Sequence, residues 1–93
     1  MGRETRLFKS RETKRREEIG DFLRQLADRI ADGRVTLSQG GEDIVLQLPQ
    51  SLVLEVQVED EEKGQKGTQH SLELEFKWFD RESGEQAGPL ELK

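Results

Sequence analysis

The sequence predicts an α+β domain: one amphipathic helix packed on one face of an antiparallel meander sheet, in the order (β)αββββ. Three observations predict it. Apolar residues recur every three or four positions over 14–32. After Gly33 the period changes to two and stays there through four segments. Gly40-Gly41, Pro49 and a polar stretch over 60–69 punctuate those segments. A sheet that is apolar on one face must cover that face, and the helix carries the other apolar stripe.

The helix is the clearest element. Ile19, Phe22, Leu23, Leu26, Ala27, Ile30 and Ala31 share one face, with Arg24, Gln25, Asp28, Arg29 and Asp32 elsewhere. Thr13 is the expected N-cap, because its hydroxyl can accept from a first-turn amide, and Ser10 is the alternative. Gly33 suits the left-handed residue that ends a helix. Lys14, Arg15 and Arg16 oppose the helix dipole, and Glu17 and Glu18 partly offset them. Gly20 costs about 1 kcal/mol relative to Ala in mid-helix, and a close approach of the sheet would explain it. Residues 5–11 are a candidate short strand before the helix, with Leu7 or Phe8 inward.

The strands follow in order. Val35 and Leu37 alternate with polar neighbours, and Gly40-Gly41 can take the positive φ angles of a tight hairpin turn. Ile44, Leu46 and Leu48 alternate next. Pro49 cannot donate to a ladder and closes that strand. Leu52, Leu54, Val56 and Val58 then face one way, and Val53, Glu55, Gln57 and Glu59 the other. Residues 60–69 read as a mobile loop. Leu72, Leu74, Phe76 and Trp78 form the inward side of the last strand, with Ser71, Glu73, Glu75 and Lys77 outward. Charge favours a register that sets Glu55 opposite Lys77, Leu54 opposite Trp78 and Val56 opposite Phe76, because a slip of two would oppose Glu55 to Glu75.

Composition narrows the function classes. The 93 residues fit one domain, and only 31% of them are hydrophobic against 38% charged. The expected organisation is an N-terminal segment over 1–12, an α+β domain over 13–79 and a disordered acidic tail over 80–93. With no cysteine, disulfides, thiolate metal sites and a cysteine nucleophile are excluded. No run approaches the roughly 20 apolar residues that span a bilayer. The charged start, Met1 to Lys9, is no signal peptide, so a cytoplasmic location is expected. Residues 1–34 carry ten Lys/Arg and seven Asp/Glu, a balance of +3, and residues 35–93 carry five and thirteen, or −8; the two sum to the net −5. Such asymmetry marks either an interaction surface or two differently solvated elements.

Three stretches in this order carry a resemblance. Leu23-Arg24-Gln25-Leu26-Ala27-Asp28-Arg29-Ile30-Ala31-Asp32-Gly33-Arg34-Val35-Thr36-Leu37 is similar to the helix-to-strand segment of the amphi-Trp domain family. Leu54-Glu55-Val56-Gln57-Val58 is similar to its middle strand. Leu72-Glu73-Leu74-Glu75-Phe76-Lys77-Trp78 resembles the Trp-terminated strand that names it. The likeness covers about residues 6–79. It implies a small prokaryotic domain, often archaeal, with no established activity, so it carries a fold and no catalytic residues. Gly20 stands where the family is expected to have Ala.

No constellation for catalysis emerges, and no enzyme activity, cofactor or metal is expected. His70 has no nucleophile near it in sequence and reads as an exposed loop histidine. The run Glu59-Asp60-Glu61-Glu62 lacks the ligand spacing of a calcium loop. Gly64-Gln65-Lys66-Gly67 joins strands, whereas a Gly-x-x-Gly nucleic-acid clamp joins helices. Gly40-Gly41 precedes a strand, so it is no phosphate cradle.

What remains is a noncatalytic module that binds protein, including a second copy of itself. Trp78 reads first as core, and at the sheet's rim it could also anchor a partner. Glu55, Glu73 and Glu75 are candidates for the same role on the outer face. The alternative is a nucleic-acid-binding accessory domain using the basic helix start from Lys9 to Arg16, with Arg15 and Arg16 foremost. Acidic neighbours and the lack of interleaved aromatics count against it. No membrane partner is expected.

Overall fold

One helix followed by four antiparallel strands makes up the fold, in the order αββββ. The computed structural model describes residues 2–80. The helix is α1 (Arg16–Asp32), and the strands are β1 (Arg34–Gln39), β2 (Glu42–Gln47), β3 (Val53–Glu62) and β4 (Thr68–Lys77). The strands form two ladders, β1 with β2 and β3 with β4, in place of one continuous meander. Ladder pairing of β2 stops at Gln47, and Pro49, which has no N–H, follows at once. The chain divides after Leu48 into two units.

In the first unit, α1 begins two residues later than its pattern suggested. Arg15 is the N-cap, in extended conformation, and neither Thr13 nor Ser10 caps the helix. The reason lies three residues on. The Glu18 carboxylate accepts from the Arg15 backbone N–H at 2.9 Å, which satisfies an end amide and places negative charge at the positive end of the helix dipole. At the other end Gly33 has φ +85° and donates its N–H to the Arg29 and Ile30 carbonyls. Its own carbonyl accepts from Leu48 N–H at 2.8 Å, so the helix stop is also a tie to the end of β2.

Gly33 thus feeds directly into β1, and α1 packs against that strand. Gly40 and Gly41 have φ of +58° and +83°, the double left-handed pair of a type I′ hairpin turn. This sets Leu37 opposite Ile44 and Val35 opposite Leu46. Val35, 5% exposed, is the one buried side chain among the described residues. Gly20 meets no sheet: a Cβ there would find only the Arg24 guanidinium, at 3.8 Å. Residues 2–14 carry neither helix nor strand, so the candidate strand over 5–11 is not formed. Leu7 is exposed and Phe8 half-buried.

The second unit is a long hairpin. Its strands run through half of the stretch expected to be a loop, and the connection shrinks to Lys63–Gly67 around a 3₁₀ turn, Gly64–Lys66. Lys63 N–H donates to the Gly67 carbonyl at 2.8 Å, and Gly67 N–H to the Gly64 carbonyl at 3.0 Å. Gly64 and Gly67 have φ of +66° and +90°, values open to glycine and strained for other residues. This turn sets the register. Glu62 pairs with Thr68, which brings Leu54 opposite Phe76, Val56 opposite Leu74 and Glu55 opposite Glu75. The register expected from charge is therefore wrong by two residues. The ladder has ten rungs closed by one turn geometry, and a single cross-strand charge pair is worth a few tenths of a kcal/mol. β4 ends at Lys77, so Trp78 lies just beyond the ladder, half-buried. Of the expected tail, residues 81–93 lie outside the described residues.

Candidate interaction surface

The second hairpin has two faces of opposite chemistry, because side chains alternate along each strand. On one face three apolar cross-strand pairs stand in a row: Leu54 with Phe76, Val56 with Leu74 and Val58 with Leu72. All but Phe76 are exposed, from 48% at Leu74 to 72% at Val58. Sequence reasoning took this row for core. The alternation was legible, but alternation reports which side chains share a face and not whether anything covers them.

The same face turns polar toward the hairpin's closed end. Asp60 stands opposite His70, and its Oδ1 lies 2.6 Å from His70 Nδ1. Two rungs further, at the next pair on this face, Thr68 Oγ1 donates to Glu62 Oε2 at 2.9 Å. His70 is thus a strand residue with a carboxylate partner, not the loop histidine expected. Both members of the pair are well exposed.

The opposite face is acidic. Glu55 and Glu75 oppose each other directly, and Glu73 stands opposite Gln57. Lys77 Nζ bonds the Glu55 carboxylate and lies 3.8 Å from Glu75. Its ammonium pKa is raised, first by the hydrogen bond and charge of Glu55 and then by the charge of Glu75. The three predicted carboxylates therefore share one face, as expected, while Trp78 lies past the end of β4.

Arg15 and Arg16 sit at the start of α1, both exposed. The basic segment around them is partly neutralised, with Lys14 Nζ 3.2 Å from Glu12 and Arg15 3.0 Å from Glu17. Among the described residues Lys9, Arg11 and Arg16 form no ion pair. Spacing places Arg16 three residues before Ile19, on the apolar stripe of the helix, and Arg15 is the extended N-cap residue just before it. There Ile19, Phe22 and Leu23 are 46%, 53% and 41% exposed. The first unit also holds an open groove, walled by Thr5 to Phe8 and floored by Leu37, Ile44 and Leu46.

The helix-to-strand passage through Gly33, the strand segment 54–58 and the amphipathic strand that leads into Trp78 are the features that the family resemblance rested on. The model of the Amphi-Trp domain matches residues 1–93. The chain belongs to the Amphi-Trp domain family. No curated protein and no solved structure matches it. Among the described residues of this Amphi-Trp chain, no three His, Asp or Glu side chains gather as a metal site, and no helix is long and apolar enough to cross a membrane.

Proposed function

We propose that this Amphi-Trp chain is a noncatalytic interaction module of the cytoplasm that self-associates through the apolar face of its second hairpin. The observation that carries this reading is the row Leu54–Phe76, Val56–Leu74, Val58–Leu72 and its exposure. A contiguous exposed apolar patch rimmed by polar residues is a mark of an interaction site. A lone two-stranded hairpin is marginally stable in water, so association on this face would also stabilise the fold. The acidic face directs the choice of side: with Glu55, Glu59, Glu73 and Glu75 repelling a like surface, copies meet through the apolar face.

Sedimentation velocity over a range of concentrations tests this. The wild-type chain is expected to associate and Val56→Lys to remain monomeric. A wild-type chain that is monomeric at every concentration overturns the proposal.

A further inference from the structure

We propose that the occupant of the second hairpin's apolar face is the start of α1 from a second copy, with the partner copy's Arg15 and Arg16 set against Asp60 and Glu62. This rests on the self-association reading and goes further by naming the surface that pairs with it. Two complementary rows on the molecule support it. On the hairpin the row runs from Glu62 and Asp60 to Val58, Val56 and Leu54 on β3, with Leu72, Leu74 and Phe76 beside them on β4. On the helix side it begins at the N-cap Arg15 and runs along α1 through Arg16 to Ile19, Phe22, Leu23 and Leu26. Each row is charged at one end and apolar for the rest, and the two charges are opposite.

The lengths agree. Ile19 to Leu26 rises about 10 Å along a helix. Val58 to Leu54 spans about 13 Å along a strand. Both apolar stretches are open: Ile19, Phe22 and Leu23 are 41–53% exposed, and Leu54, Val56 and Val58 59–72%. The acidic residues of the first turns, Glu17, Glu18 and Asp21, fall off the apolar stripe at 100° per residue, so they do not face the hairpin's carboxylates.

A second copy of the hairpin face itself is a poorer match. Its strand positions on that side carry no lysine or arginine, so face-on-face pairing brings neither to Asp60 or Glu62. The helix start brings Arg16, which forms no ion pair among the described residues, and Arg15, whose guanidinium would be shared with Glu17 of its own chain, 3.0 Å away. Exchange of helices between two copies makes the contact twice and closes as a two-fold dimer.

Reciprocal charge reversal tests the pairing. One variant carries Arg15→Glu and Arg16→Glu, which leaves the helix start favourable to the dipole. The other carries Asp60→Lys and Glu62→Lys. Circular dichroism checks that both are folded. Each alone is expected to associate more weakly by about tenfold or more, since it opposes like charges in both contacts. An equimolar mixture restores both contacts and should recover a wild-type dimer by sedimentation. If each variant alone associates like wild type, or the mixture stays monomeric, the helix assignment is overturned. In either case loss of association in Val56→Lys keeps the self-association reading standing. A monomeric wild-type chain removes both.

Discussion

Glu55 and Glu75 face each other directly across the β3–β4 ladder, and one ammonium, Lys77 Nζ, reaches both carboxylates. Two like charges in direct opposition destabilise a strand pair. The cation sits one diagonal step away, opposite Val53, and turns the repulsion into a three-membered cluster.

This cluster gives a mutational and a pH prediction. Lys77→Gln leaves the carboxylate pair uncompensated and is expected to lower the melting temperature slightly. Adding Glu75→Gln in that background should restore it. The Lys77 pKa is raised in the folded chain. Its stabilisation is therefore complete below the unfolded lysine pKa, about 10.4, and is lost as pH rises through the higher folded value. Thermal melts between pH 9 and 12, about the titration range of lysine, should show an alkaline loss that Lys77→Gln lacks.

Gly20 and Gly33 predict opposite outcomes for the same substitution. Gly20 lies inside α1, and a Cβ there meets nothing closer than the Arg24 guanidinium. Gly20→Ala is expected to raise the unfolding free energy in urea by about 1 kcal/mol, from helix propensity alone.

Gly33 has φ +85°, and its added Cβ would sit 3.6 Å from the Leu48 carbonyl. Gly33→Ala is expected to cost about 1 kcal/mol or more by the same urea measurement, because the left-handed cap is strained for any L side chain.

Val35 and Val58 separate burial from pattern. Both occupy apolar positions of alternating strands, yet one is 5% and the other 72% exposed. Val35→Ala should cost about 2 kcal/mol in stability. Val58→Ala should change stability by less than about 0.5 kcal/mol at concentrations where the chain is monomeric. Its effect should appear in the concentration dependence of sedimentation.

The basic helix start gives the last prediction. Lys14 and Arg15 are already paired with Glu12 and Glu17 in this chain. Gel shifts with RNA and DNA at low salt are expected to show no retained complex. Salt-sensitive retention lost on neutralising Arg15 and Arg16 would instead favour the nucleic-acid reading.

The elements were legible because local rules govern them. The 3.6 period, Gly33 as a stop, Gly40-Gly41 as a tight turn and the period of two after it each depend on a few neighbouring residues. The N-cap differs from the expected Thr13 for a local reason as well: Glu18 supplies the cap from inside the helix, and no hydroxyl before it does. The candidate strand over 5–11 had no alternation to support it and is absent.

The candidate site was legible only in part. Glu55, Glu73 and Glu75 were correctly placed on one face, and Arg15 and Arg16 at the helix start. The apolar row was read correctly as a row, and its side chains other than Phe76 are exposed. The Asp60–His70 pair was missed because it needs the register, and the register needs the turn.

By itself, then, the sequence determined what each short segment is and which of its side chains share a face, since those properties follow from backbone periodicity and from residues such as Gly33 that one conformation suits. Tertiary structure decided what pairs with what. The turn around Gly64 and Gly67 set ten rungs at once and overrode a charge preference worth far less. It also decided burial, because a face becomes core only when another surface covers it. Val35 is 5% exposed and Val58 72%, although both hold apolar positions of alternating strands.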